Sequence, residues 1–164
     1  MKKRGFTLAE ILVSLGVIGV VSALALPTFM SNTQTRTHES TLNTSVTAIE
    51  NAIGMILAQD AANTLGETDI INADNAQTEF TNRLDETLKS NANVDAENLL
   101  VAGGVVRELK NGAIISYAIS DINADDNATA GTVVIDTNGE ARPNRNNIDR
   151  FTYNLMGNGE LVRQ

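Results

Sequence analysis

The chain has 164 residues, a net charge of −8, one histidine and no cysteine, and 4% of its residues are aromatic. Without cysteine it can form neither a disulfide nor a thiolate site, and its acidic composition disfavours direct binding of nucleic acid. This length predicts one compact domain in addition to any membrane segment.

The first thirty residues are the most informative part of the sequence. Lys2, Lys3 and Arg4 precede Gly5, and the segment Ile11–Met30 then carries no charge. A helix of about twenty apolar residues is long enough to cross the hydrocarbon core of a bilayer. Positive charge before such a segment predicts a single-pass protein with a cytoplasmic N-terminus and an extracytoplasmic C-terminal part.

Three interpretations of this segment are open. A secretory signal peptide cut near Ala25 would have a similar basic start and apolar middle, but Glu10 would then lie within the apolar region. A plain single-pass anchor explains the length of the apolar segment, but it does not explain why Glu10 and the Gly5-Phe6 junction are present. The third interpretation rests on the residues around that junction.

The segment Lys3–Glu10 resembles the processing site of type IV pilins and type II secretion pseudopilins. In that family a prepilin peptidase cuts after the glycine and methylates the new first residue, so the resemblance implies cleavage between Gly5 and Phe6. It also implies that Glu10 pairs with the Phe6 amine of another copy during assembly. An unpartnered carboxylate at the edge of a membrane is costly; the alternative is that Glu10 simply reaches towards the membrane face.

A helical pattern continues beyond the membrane segment. Pro27 predicts a kink or break, after which the helix resumes. By resemblance to the family, Gly19–Pro27 is the segment that unwinds locally during assembly. The polar segment Asn32–Ser45 predicts an exposed neck in which His38 is solvated. Beyond it, apolar residues recur at spacings of three and four, which predicts one buried helix face: Leu42, Val46, Ile49, Ile53 and Ile56 or Leu57.

The next part of the chain predicts a linker and short helices. Asp60–Ala76 is polar and rich in small residues, which is typical of a loop. Gln77–Leu88 has helical periodicity, and Leu99–Val101 predicts a helical turn that ends at the Gly103-Gly104 pair.

Strands are predicted in the C-terminal part. Asn111-Gly112 lies between two β-rich runs and predicts a hairpin with a type I′ turn. We expect about four antiparallel strands in all, within the runs Val105–Leu109, Ala113–Ser120, Thr132–Ile135, Phe151–Leu155 and Glu160–Val162. The predicted fold class is therefore α+β and pilin-like, with a long N-terminal helix packed on a small antiparallel sheet. The expected segments are a leader at 1–5, a transmembrane or filament-core helix at 6–30, its amphipathic continuation at 31–58 and a globular head at 59–164.

One loop of the head is a candidate metal site. Asp136, Asn138, Asn144 and Asp149 offer the oxygen atoms that calcium prefers. The tract also resembles the C-terminal loop of pseudopilins, where calcium orders a loop in this region. Two alternatives to calcium are open. In the first, the loop is closed by its own Asx turns. In the second, salt bridges from neighbouring arginines replace the cation, and the candidates are Arg142, Arg145 and Arg150.

These observations predict a structural subunit of a type IV pilus or a type II secretion pseudopilus. No nucleophile–histidine–acid set and no phosphate-binding loop is present, so we expect no enzyme. The expected partners are other pilin-like subunits, the prepilin peptidase and the assembly platform of the inner membrane, and the assembled form is a periplasmic pseudopilus or a surface pilus. The alternatives are a minor or tip subunit, an anchored binding domain that never polymerises, and an exported enzyme cut near Ala25.

Overall fold

The computed structural model describes residues 5–92, 94, 101–123, 125–139 and 145–164. Within these residues a long helix is followed by short helices and then by five strands, so the predicted α+β class is confirmed. The elements are α1 (Leu8–Gln59), two 3₁₀ turns (Leu65–Glu67 and Asp69–Asn72), α2 (Ala76–Leu88), β1 (Val105–Glu108), β2 (Ile114–Ile119), β3 (Thr129–Asp136), β4 (Arg150–Met156) and β5 (Leu161–Arg163).

The chain divides into two compact units, one up to Thr37 and one from His38 to Gln164. The first unit contains the N-terminal part of α1. Its large apolar side chains are exposed, as Phe6, Leu24 and Phe29 illustrate. The helix continues through Pro27.

The second unit is built around the sheet. Its strands form an antiparallel meander in the order β1-β2-β3-β4-β5, because each strand pairs with its neighbour in sequence. Alternate side chains of β4, namely Phe151, Tyr153 and Leu155, belong to the core. The predicted apolar stripe of α1 packs into the same core: Leu42, Ile49, Ile53, Ile56 and Leu57 are buried, and Val46 is partly buried against them.

Local interactions set the ends of the two helices in this unit. Asn75 caps α2 by accepting a hydrogen bond from the backbone N–H of Thr78 at 3.0 Å. Beyond the end of α1, Ala61 adopts a left-handed conformation, and the N–H of Ala62 donates to the carbonyl of Leu57 at 2.9 Å. Both arrangements satisfy backbone groups that a helix end leaves unpaired.

Two local predictions are wrong. The segment predicted as a loop after α1 contains the two 3₁₀ turns, and the apolar residues Leu65 and Ile70 of these turns are buried in the core. The β1–β2 hairpin exists, but its turn is a three-residue loop. The N–H of Leu109 donates to the carbonyl of Ala113 at 2.8 Å, and only Gly112 of the predicted turn dipeptide has a positive φ, whereas a type I′ turn needs two such residues. The predicted helical turn near residue 100 lies mostly outside the described residues.

Candidate functional site

The first candidate site is the start of the chain around the predicted cleavage point. Gly5 and Phe6 precede α1 and are exposed, and 84% of Phe6 is accessible to solvent. A bond that lies outside regular structure and is exposed on both sides is one that a peptidase can reach.

Glu10 closes a capping box at the start of α1. Its carboxylate oxygen Oε2 accepts hydrogen bonds from the backbone N–H and the hydroxyl of Thr7, both at 2.8 Å. In return, the N–H of Glu10 donates to Thr7 Oγ1 at 3.3 Å. This is the reciprocal pattern of a Thr-x-x-Glu box, which satisfies N–H groups that the helix leaves unpaired. The spacing of Thr7 and Glu10 alone is sufficient to predict this box, which is not among the features predicted above.

The helix that follows has an apolar surface on all sides. Within the described part of the chain, α1 is the one helix that is long and apolar enough to span a membrane. Glu10 is the sole charged residue between Leu8 and Met30. Ser14 donates its hydroxyl hydrogen to the carbonyl of Glu10 at 2.7 Å, so its polar group is satisfied within the helix. The exposed large apolar side chains of this surface are Leu8, Ile11, Leu12, Val13, Leu15, Val17, Ile18, Val20, Val21, Leu24, Leu26, Phe29 and Met30.

The second candidate site is the β3–β4 loop. Among the predicted calcium ligands, the structure brings Asp136, Asn138 and Asp149 together, whereas Asn144 lies outside the described residues. Asn138 joins the two acids, since its backbone N–H donates to Asp136 Oδ1 at 3.3 Å and its side-chain amide donates to Asp149 Oδ2 at 3.2 Å. Both carboxylates are buried, with 1% of Asp136 and 3% of Asp149 accessible to solvent.

An arginine pairs with one of these two carboxylates. Arg150 Nε lies 2.7 Å from Asp136 Oδ2, and the two residues are direct cross-strand partners in β3 and β4. Burial raises the pKa of Asp136, while Arg150 acts in the opposite direction. The remaining oxygen of Asp149, Oδ1, accepts a hydrogen bond from the backbone N–H of Arg145. Each of the four carboxylate oxygens therefore has a hydrogen-bond donor.

These described residues do not fit a calcium ion. Calcium takes six to eight oxygen ligands, but Asp136 and Asp149 are surrounded by N–H donors and a guanidinium. No group of three or more acidic, histidine or cysteine side chains is placed to hold a metal within the described ranges.

His38 also contacts this loop, which corrects the prediction that it is solvated. Its ring is half-buried, and Nδ1 lies 3.0 Å from Thr137 Oγ1. The Thr137 hydroxyl and backbone N–H both lie within hydrogen-bond distance of the carbonyl of Asp149. The contact joins residues 99 positions apart in sequence, so no local pattern could have predicted it.

Comparisons with known proteins agree with the N-terminal geometry. The family model of the prokaryotic N-terminal methylation motif matches residues 1–26. This match agrees with the resemblance of residues 3–10 to the processing site of type IV pilins and type II secretion pseudopilins.

One relative is a protein of a secretion system. The chain is similar to type II secretion system core protein G of Escherichia coli (strain K12), with 39% identity over 54 residues, which are 33% of this chain and 37% of that protein. The similarity thus spans only about a third of either protein. No solved structure matches the chain.

Proposed function

We propose that this chain is a structural subunit of a filament, a type II secretion pseudopilus or a type IV pilus. In this proposal the chain is cut after Gly5, methylated at Phe6 and polymerised through the N-terminal part of α1. The observation that carries the proposal is the long exposed apolar surface of α1, with its single carboxylate placed five residues after the cleavage point.

The apolar surface needs a partner outside its own chain. Soluble monomers rarely expose a continuous apolar patch larger than a few hundred Å². Lipid provides one suitable environment, and the same helices of other copies provide another. Gly16 and Gly19 face open space, where an added Cβ would meet nothing within 4 Å, so neighbouring helices can approach closely there.

Glu10 gives this surface a preferred register. Burying a carboxylate away from water without a partner is unfavourable. Cleavage after Gly5 creates an α-ammonium on Phe6, and in the proposed filament Glu10 pairs with that group of a neighbouring copy. Before assembly, the hydrogen bonds from Thr7 hold the Glu10 carboxylate within its own chain. Local unwinding between Gly19 and Pro27 would ease the fit of successive helices.

The remaining parts of the proposal follow from topology. The basic residues before Gly5 keep the N-terminus in the cytoplasm, so the unit from His38 onward is extracytoplasmic. A prepilin peptidase and an assembly platform of the inner membrane are then the partners that process and extract the subunit. We propose a structural role without catalysis for the C-terminal unit.

The N-terminus of the mature protein tests processing directly. Intact mass and N-terminal sequencing of protein from membranes and from sheared filaments should give a chain that begins with methylated Phe6. A chain that begins at Met1 would support a plain anchor, and one that begins at Leu26 would support a signal peptide. Methylated protein in membranes without filaments would instead favour a minor subunit or a binding domain.

Variants of Glu10 test the assembly step separately. Glu10→Gln keeps a side chain that can complete the capping box, but removes the charge, so it should insert normally and form at least tenfold fewer filaments. Glu10→Ala should behave similarly, and Glu39→Ala, which removes an exposed acid from the same helix, should assemble like the wild type. Normal assembly of Glu10→Gln would show that the charge is not required and would exclude the pairing mechanism.

A further inference from the structure

The β3–β4 loop must hold two buried acids without a disulfide, because the chain contains no cysteine. Asp136 ends β3 and Asp149 precedes β4, and both are almost completely buried. Like charges in a buried site oppose each other, and such a site is stable only if opposite charge and hydrogen bonds compensate. A bound cation is one solution, and the described residues do not fit one.

We infer that the guanidinium of Arg150 replaces a structural cation in this chain and fastens the β3–β4 loop. Its position is built into the sheet, because Arg150 is the cross-strand partner of Asp136. Within this pair, 21% of the Arg150 side chain and 2% of the Asp136 side chain are accessible to solvent. The pair is therefore only weakly screened by water and salt.

Hydrogen bonds extend this fastening across the loop. Asn138 donates to both Asp136 and Asp149, and the backbone of Arg145 donates to Asp149. The backbone N–H of Thr137 donates to the carbonyl of Asp149 at 2.8 Å, and this closes the base of the loop next to the Asp136–Arg150 pair. Arg150 thus supplies positive charge beside Asp136, and these hydrogen bonds connect the other described residues of the loop.

A matched pair of variants tests the role of Arg150 in the full chain in detergent micelles. Arg150→Gln leaves Asp136 buried without its ion pair and should lower the melting temperature by several degrees. Arg145→Gln removes the same charge from an exposed side chain of the same loop and should leave the melting temperature nearly unchanged. Equal melting temperatures for the two variants would overturn the inference.

A second variant keeps the test decisive if Arg150→Gln fails to fold. The double variant Asp136→Asn/Arg150→Gln removes both charges while retaining groups that can hydrogen-bond. It should fold and melt above the single Arg150 variant, because no buried charge is left unpaired. A double variant that is no more stable than Arg150→Gln would contradict the inference.

Adding and removing calcium tests the alternative that the loop binds the metal. The wild type should melt at the same temperature in excess chelator and in millimolar calcium chloride, with magnesium chloride as the control for ionic strength. A calcium-dependent rise in the melting temperature that Asp136→Asn abolishes would show that the loop binds the metal, and this would overturn the inference. None of these results depends on polymerisation, so failure here is distinct from failure of the proposed function.

Discussion

The two parts of α1 place similar residues in different environments. Ile18, in the first unit, is 61% exposed, whereas Ile53, in the second unit, is completely buried. Around Ile18 apolar residues occur on every side of the helix, while Ile53 belongs to a narrow stripe with polar residues between its members. A helix that is apolar all round requires an environment outside its chain, whereas a stripe finds its partner within the fold.

The largest expected effect comes from truncating one isoleucine in each part. Ile53→Ala should lower the free energy of unfolding of the second unit by about 2–5 kcal/mol, because it leaves a cavity in the core. Ile18→Ala makes the same chemical change on the exposed part and should leave that free energy unchanged. Thermal melts of the full chain in detergent, followed by near-ultraviolet circular dichroism, measure both.

The pair also controls for helix propensity. Alanine favours a helix slightly more than isoleucine does, and both variants gain this small benefit equally. A similar loss of stability in the two variants would contradict the division of α1 into an exposed part and a packed part.

The contrast explains which features could be predicted from sequence. The stripe from Leu42 to Leu57 and the apolar segment up to Met30 follow from periodicity and composition, which depend on local sequence. The hairpin at Asn111-Gly112 was predicted correctly as a hairpin, but its turn type depends on how Ala113 pairs with Leu109. The buried positions of Leu65 and Ile70 were missed because the surrounding segment is mostly polar and its few apolar residues show no helical or strand periodicity.

The candidate sites also contain features that local sequence predicts and features that it does not. Gly5, Phe6 and Glu10 form a local motif, and the family model that matches residues 1–26 confirms the resemblance. The acids of the β3–β4 loop were recognised as a cluster, but the choice between a cation and Arg150 depends on strand register. Register pairs residues that are distant in sequence, so composition alone left both alternatives open.

A medium effect is expected where the packed part of α1 ends. Asp60 follows the helix, and its Oδ2 accepts hydrogen bonds from the backbone N–H of Asp69 at 2.9 Å and from Arg83 Nη1 at 2.7 Å. The Asp69 N–H is the largest cause that lowers the pKa of Asp60, and Arg83 adds to it. Asp60→Asn should therefore cost roughly 1–2 kcal/mol at neutral pH.

The stability that Asp60 contributes should depend on pH. Because the pKa of Asp60 is lower in the folded protein, its ionised form stabilises the fold, and this stability is lost as pH falls through the folded-state pKa. The difference between the wild type and Asp60→Asn should be complete above about pH 5 and shrink below about pH 4, near the ordinary aspartate pKa. Asp74→Asn, an exposed neighbour, is the control. A difference that stays constant down to pH 3 (about one unit below the ordinary pKa) would rule out the ionised carboxylate as the cause.

The smallest expected effect lies at His38, where the packed part begins. The Thr137 hydroxyl has one hydrogen, and the carbonyl of Asp149 can only accept. If that hydrogen goes to Asp149, His38 Nδ1 must carry a proton and donate to Thr137. His38→Ala should then cost about 1 kcal/mol or less, since it removes one partly exposed hydrogen bond. His38→Asn should retain most of that stability, because its amide nitrogen lies near the position of Nδ1.

Nitrogen NMR shifts of the His38 ring measure the tautomer directly. A ring with its proton on Nε2 alone would reverse the donor and acceptor, and Thr137 would then donate to the histidine instead of to Asp149.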